Sequence, residues 1–143
     1  MNVYVPDASV AAKWVLPPVH EGLTEEALGL LARFTKGEVR FVVPDLFWAE
    51  MANILWKAVR AGRCTEESAE SALALMLERS LPTVSSSSLV KEAFAIATTF
   101  QRTVYDGLYV ALAVVRKAEL VTADERLANA LAAYFPVKWL GAL

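Results

Sequence analysis

The 143-residue chain has a single cysteine, Cys64, and a single histidine, His20. A lone cysteine forms no intrachain disulfide and no cysteine-rich zinc site. A lone histidine removes histidine-clustered zinc and makes a Ser-His-Asp triad hard to assemble. An excess of either charge is also missing: 14 basic against 16 acidic side chains give a formal net charge of −2. Such a chain has no general pull toward nucleic acid, so any such binding must be local. No apolar run reaches the roughly 18 residues that a membrane-spanning helix needs. The N-terminal residues lack the basic leader of a secretion signal and are interrupted by Asp7 and Lys13. Carboxylates remain as the instruments of any chemistry, in the reducing cytoplasm that sparse cysteine implies.

What is abundant is hydrophobicity, at 56% of residues. That suits either a sheet buried on both faces or an apolar surface covered by a partner. The length fits one domain, residues 1–143, with no repeat, long linker or low-complexity tract. Strand and helix signals alternate. Residues 2–6 (NVYVP) read as a buried strand, and 8–15 as a helix stopped by Pro17 and Pro18. Thr24 is placed to cap a helix running to about Lys36, with Gly37 ending it. Residues 38–43 read as one strand, after which Pro44 and Asp45 open a helix ending near Gly62. Thr65 caps the next helix. A brief strand at 83–85 precedes a helix from Ser88 to about Gln101, and Asp106 stands before another over GLYVALAVVRKA. Residues 119–122 form a strand, 124–133 a helix and 137–140 a final strand. This alternation predicts an α/β fold: three layers, α/β/α, around a mainly parallel sheet of about five strands.

Aspartate occurs only at positions 7, 45, 106 and 124. Asp45, after Pro44, is accounted for as a helix cap. Asp7 ends one buried strand and Asp124 lies two residues beyond another. Sites in parallel sheets form beyond the carboxyl ends of the strands, so both should face one crevice. Asp106 begins an apolar helix that can start at the same edge. Capping alone also explains Asp106 and Asp124, but it explains Asp7 less well, because Ser9 can cap the first helix. Clustered carboxylates repel unless a cation holds them, and without histidine they suit Mg²⁺ or Mn²⁺.

Glu50 lies in DLFWAEMANILWKAVRAG, where Phe47, Met51, Ile54, Leu55 and Ala58 form an apolar face. Glu50, Asn53, Lys57 and Arg60 form a neighbouring polar stripe, with Asn53 one turn from Glu50 and able to bond it. A solvated helix face explains that stripe equally well. Lys13, Arg40, Lys57, Arg60, Arg102 and Arg126 are candidates to hold a phosphate backbone, against an ordinary surface role for each. Trp14, Phe47, Trp48 and Trp56 read as core or dimer-interface residues rather than base-stacking ones.

Four blocks, VYVPDASVAAKW, FWAEMANIL, TVYDGLYVALAV and VTADERL, resemble in order and spacing the motifs of PIN-domain ribonucleases. The length and spacing are most similar to the VapC-type toxins of toxin–antitoxin modules. The resemblance implies that Asp7, Glu50, Asp106 and Asp124 are both catalytic and metal-binding, with Mg²⁺ or Mn²⁺ as cofactor. Ser9, Asn53 and Thr122 match supporting positions, and Lys13, Lys57, Arg60, Arg102 and Arg126 are candidates to contact RNA. It further implies an endoribonuclease that cleaves single-stranded or structured RNA with metal-activated water, leaving 5′-phosphate and 3′-hydroxyl ends. A homodimer and a cognate antitoxin protein are the expected partners. Residues 27–34 and 47–59 are the expected contact helices. Three other readings stay open: a non-catalytic binding module on the same fold, a DNA-directed flap-type nuclease, which usually has more carboxylates and extra helical elements, and a phosphatase with Asp7 as nucleophile, although Ser9 stands where its second acid belongs.

Overall fold

The computed structural model describes residues 1–17 and 22–143. Pro18, expected to help stop the first helix, lies outside the described residues, as does His20. The chain folds as strand β1 (Asn2–Pro6), helices α1 (Ala8–Val15) and α2 (Thr24–Thr35), then strands β2 (Val39–Phe41) and β3 (Val43–Pro44). Helices α3 (Leu46–Arg60) and α4 (Glu66–Glu78) follow, then β4 (Thr83–Val84), a 3₁₀ turn (Ser86–Ser88), α5 (Val90–Phe100) and α6 (Val104–Val115). The chain closes with β5 (Glu119–Thr122), α7 (Glu125–Leu131) and β6 (Val137–Trp139), and a last 3₁₀ turn over Leu140–Ala142.

Four strands form a wholly parallel sheet in the order β2-β1-β5-β6, with Val5 opposite Leu120 and Leu120 opposite Val137. Val5, Leu120 and Val121 are fully buried, as strands covered by helices on both faces must be. The α/β expectation therefore holds, with one refinement. Residues 38–43 do not form one strand: the chain breaks at Val42, whose amide bonds Tyr4. Beyond it β3 leaves the main sheet and pairs in parallel with β4 as a separate two-stranded ribbon. Pro44 accordingly ends that strand rather than opening α3.

Connections leave β1 toward one edge of the sheet and β5 toward the other. The adjacent ends of β1 and β5 are thus the point where the winding reverses, which is where open parallel sheets leave a crevice. α6 lies under this point. Its residues Gly107 to Ala113 are all buried, consistent with a helix apolar on every side. It packs closely on α5 at Gly107, where an added Cβ would stand 2.5 Å from the Ala93 carbonyl oxygen.

Local signals explain most boundaries. Gly37 and Gly62 take φ of 76° and 73° and end α2 and α3, each followed by a backbone bond back to the helix (Glu38 to Arg33, Arg63 to Ala58). Thr65 caps α4 through the Ser68 amide. Thr24 is not a cap but the first residue of α2, with Leu23 ahead of it at φ 70°. Asp45 does not cap α3 with its side chain. It accepts from the Ser86 amide at 3.1 Å and from the Ser86 hydroxyl, tying the start of α3 to the turn before α5. Those bonds hold its carboxyl below the usual range. Among the described residues no helix is long and apolar enough to cross a membrane.

Candidate active site

Asp7 follows the last residue of β1 and is the N-cap of α1. Its amide bonds the Val121 carbonyl of β5, and its Oδ1 accepts from the Val10 amide at 3.2 Å and from the Ser9 hydroxyl at 2.5 Å. Ser9 is thus not the alternative cap the sequence offered. It donates to Asp7 and accepts from the Ala123 amide at 3.1 Å, binding the ends of β1 and β5 together. The fully buried Thr122 accepts from the Asp124 amide at 3.1 Å and also bonds Asp7. Asp124 caps α7 through Oδ1, which accepts from the Arg126 and Leu127 amides at 3.0 and 3.2 Å. The capping explanation and the crevice are both satisfied by the same residues.

Burial pushes the Asp7 carboxyl up to about 6; the bonds from Ser9, Thr122 and Val10 oppose this, and the negative charge of Glu50 adds to it. Glu50, half-buried on α3, is also pushed upward, first by desolvation and then by the charge of Asp106, against a bond from Tyr109. That bond, from the Tyr109 hydroxyl to Glu50 Oε1, is 2.5 Å long. The Ala8 amide bonds the same phenol oxygen, so Tyr109 joins α1, α3 and α6 at the site. Asn53, expected to support Glu50, is exposed beside it and does not bond it. Asp106 is not a cap either: Thr103 caps α6, accepting from the Asp106 amide at 3.0 Å. Asp106 therefore sits within the first turn of α6, with Oδ2 3.4 Å from Arg102 Nε.

These four acids line one cleft of about 220 Å³, together with Ser9, Tyr109 and apolar Ala8, Ile54 and Leu127. The donor set, carboxylate oxygen with a hydroxyl and without nitrogen or sulfur, fits a hard divalent cation. The raised Asp7 and Glu50 show the like-charge and burial cost that such a cation relieves. Among the described residues no three acidic, histidine or cysteine side chains yet stand in an ion-holding arrangement. Three of the acids are instead held by protein donors, Asp7 by Ser9, Glu50 by Tyr109 and Asp124 by the α7 amides, and Asp106 is ion-paired with Arg102.

Residues 4–131 match the family model of the PIN domain. The chain belongs to the PIN-domain family. It is 40% identical over 87 residues to Ribonuclease VapC3 of Pyrobaculum aerophilum, a match covering 59% of this chain and 66% of the relative, just under two thirds of that protein's length. The crystal structure of PAE2754 from Pyrobaculum aerophilum matches over 99% of this chain and 91% of its own, with TM-score 0.73 and 21% identity. VapC20 of Mycobacterium tuberculosis, a sarcin-ricin loop cleaving toxin, covers 94% and 96% with TM-score 0.66 and 17% identity. VapBC2 of Rickettsia felis, bound to a promoter DNA fragment, covers 96% and 98% with TM-score 0.65 and 17% identity. At such identities these structures share the PIN fold.

Within this PIN domain the basic candidates scatter. Arg102 pairs with Asp106, Arg60 stacks 5.0 Å over the Trp56 ring, and Lys13 is half-buried on α1. Arg126 is exposed at the start of α7, Arg40 is exposed on β2, and Lys57 is exposed in a groove next to the acidic cleft. Of the aromatics, Phe47 is buried and Trp14 stacks on Phe41 at 5.4 Å, while Trp56 is 53% exposed. Tyr109 and Tyr105 were not among the residues expected at the site. Both flank Asp106, and Tyr109 lies three residues on, the helical spacing that shares a face with it.

Proposed function

We propose that this chain is a divalent-metal-dependent endoribonuclease, one nuclease domain over residues 1–143, acting in the cytoplasm as the toxin of a VapBC-type pair. The observation that carries the reading is the meeting of Asp7, Glu50, Asp106 and Asp124 in one cleft at the winding reversal of the sheet. Asp7, Asp106 and Asp124 would hold Mg²⁺ or Mn²⁺, with Glu50 as a further ligand or as the group that orients water. A bound cation supplies positive charge for the phosphate and lowers the pKa of water.

The chain's own residues do the rest. Ser9 and Thr122 fix Asp7 against β5, and Tyr109 holds Glu50 through Oε1; the second Glu50 oxygen would accept a proton from the attacking water. Arg102 neutralises Asp106 until substrate and cation arrive. Attack by water rather than by the ribose 2′-hydroxyl leaves a 5′-phosphate and a 3′-hydroxyl. The 40% identical relative is a ribonuclease and the Mycobacterium neighbour is a sarcin-ricin loop cleaving toxin, and both support RNA as substrate. The toxin–antitoxin complex from Klebsiella pneumoniae, with TM-score 0.61, and the Rickettsia complex support an antitoxin partner, and a homodimer belongs to the same reading.

A non-catalytic binding module on the same fold makes the opposite prediction for cleavage. A phosphatase is disfavoured: Ser9 occupies the place of its second acid, and its hydroxyl is engaged by Asp7 and Ala123. End-labelled single-stranded RNA incubated with Mn²⁺ separates the readings. The nuclease yields 5′-phosphorylated fragments and is silenced by EDTA, whereas the binding module yields none.

A further inference from the structure

The acidic cleft does not end at Glu50. A second groove of about 410 Å³ opens beside it, and Glu50 and Ile54 line both. One wall is α3, where Glu50, Asn53 and Lys57 follow at three- and four-residue steps along about 10 Å of one helix face. The other wall is Tyr105, in the first turn of α6 immediately before Asp106. Tyr105 is 60% exposed, and among the described residues no other ring packs on it. Lys57 is in no ion pair and Asn53 makes no side-chain hydrogen bond among the described residues.

Three unengaged groups of different chemistry thus converge within reach of the candidate catalytic acids. The groove is within the roughly 300–1,000 Å³ usual for small-ligand sites. The groove walled by Ile96, Val114, Val115 and Phe135 has another character and offers almost nothing polar. An exposed aromatic face, an amide and an ammonium match instead the parts of a nucleotide: base face, base edge and phosphate. Among the described residues Lys57 is the only lysine or arginine lining either groove, and so the cation placed to offset the repulsion between four carboxylates and a phosphate strand.

We infer that this groove receives the unpaired nucleotide next to the cleaved phosphate. Its base stacks on Tyr105, Asn53 bonds its edge and Lys57 holds its phosphate. The inference rests on the ribonuclease reading and narrows it, because a base inside a duplex has no face to offer. The test has two arms. In the first, steady-state cleavage with Mn²⁺ is measured for Tyr105→Leu, Tyr105→Phe and Lys57→Ala. Tyr105→Leu raises KM roughly tenfold with kcat within about twofold, and Tyr105→Phe stays near wild type. Lys57→Ala raises KM several-fold and lowers the salt slope by about one.

In the second arm, Asp7→Asn with and without Tyr105→Leu is titrated into a fluorescent, unstructured oligoribonucleotide without metal, and into its duplex. A roughly tenfold weaker binding of the single strand by the double variant supports the inference. Unchanged KM and affinity in Tyr105→Leu overturn it, as does equal affinity for the duplex, or a changed oligomeric state with RNA binding intact. If the wild type cleaves no RNA, the ribonuclease reading falls, and the binding arm still decides this groove.

Discussion

Tyr109 places one phenol oxygen between the Ala8 amide and Glu50 Oε1, so the acid that reaches the cleft from α3 is positioned from α6. Phenylalanine keeps the ring volume and loses the phenol oxygen with both of these contacts. Tyr109→Phe is therefore expected to lower kcat roughly tenfold with KM within about a factor of two, read from steady-state cleavage. Asp7 carries a second expectation. Its folded-state pKa of about 6 lies above the ordinary value of 3.8, so the folded state binds its proton more tightly. Stability from this group is highest below pH 4, falls as pH rises through about 4 to 6, and stays reduced at pH 7. Asp7→Asn keeps the cap acceptor and removes the buried charge. Without divalent ions it should stabilise the protein at pH 7 by on the order of 2–3 kcal/mol, and hardly at all at pH 4, in denaturant titrations. Asp7 and Asp124 were legible in the sequence because strand ends are local signals. Tyr109 was not, because the bond it makes joins residues 59 apart and no periodicity within α3 points to it.

At the scale of elements, the position of Asp106 depends on how closely α6 lies on α5. Gly107 permits that approach: a Cβ there would meet backbone, not a side chain that can turn away, at 2.5 Å from Ala93 O and 3.0 Å from Ala93 Cα. Gly107→Ala should destabilise by about 1–3 kcal/mol and move Asp106 outward, seen as a lowered melting temperature and weaker cleavage together. Elements with local punctuation were readable, as with Gly37 and Gly62 ending α2 and α3. Boundaries set by tertiary contacts were not. The break between β2 and β3 comes from Val42 bonding Tyr4 and from the pairing of β3 with β4, which an apolar run cannot announce. Asp45 likewise read as a cap because the Ser86 that engages it is 41 residues away.

For the molecule as a whole, alternation of strand and helix was enough to anticipate a parallel α/β sheet, and the reversal between β1 and β5 explains why widely separated acids meet. Asp7 and Glu50 carry a burial cost that a bound cation would relieve, so folding and metal binding should be linked. Mn²⁺ at about 100 times its dissociation constant should stabilise the wild type by about 2.7 kcal/mol. In a thermal melt that is a rise of roughly 5–10 °C, absent in Asp7→Asn.

The most direct test of the central claim is the rate of single-stranded RNA cleavage as Mn²⁺ is titrated, with wild type and Asp7→Asn run in parallel and both shown folded by circular dichroism. Four carboxylates acting as a divalent-metal nuclease site predict a rate that saturates with Mn²⁺ in the wild type and stays at background in Asp7→Asn. Equal rates in the two proteins, or cleavage that survives EDTA, would contradict it.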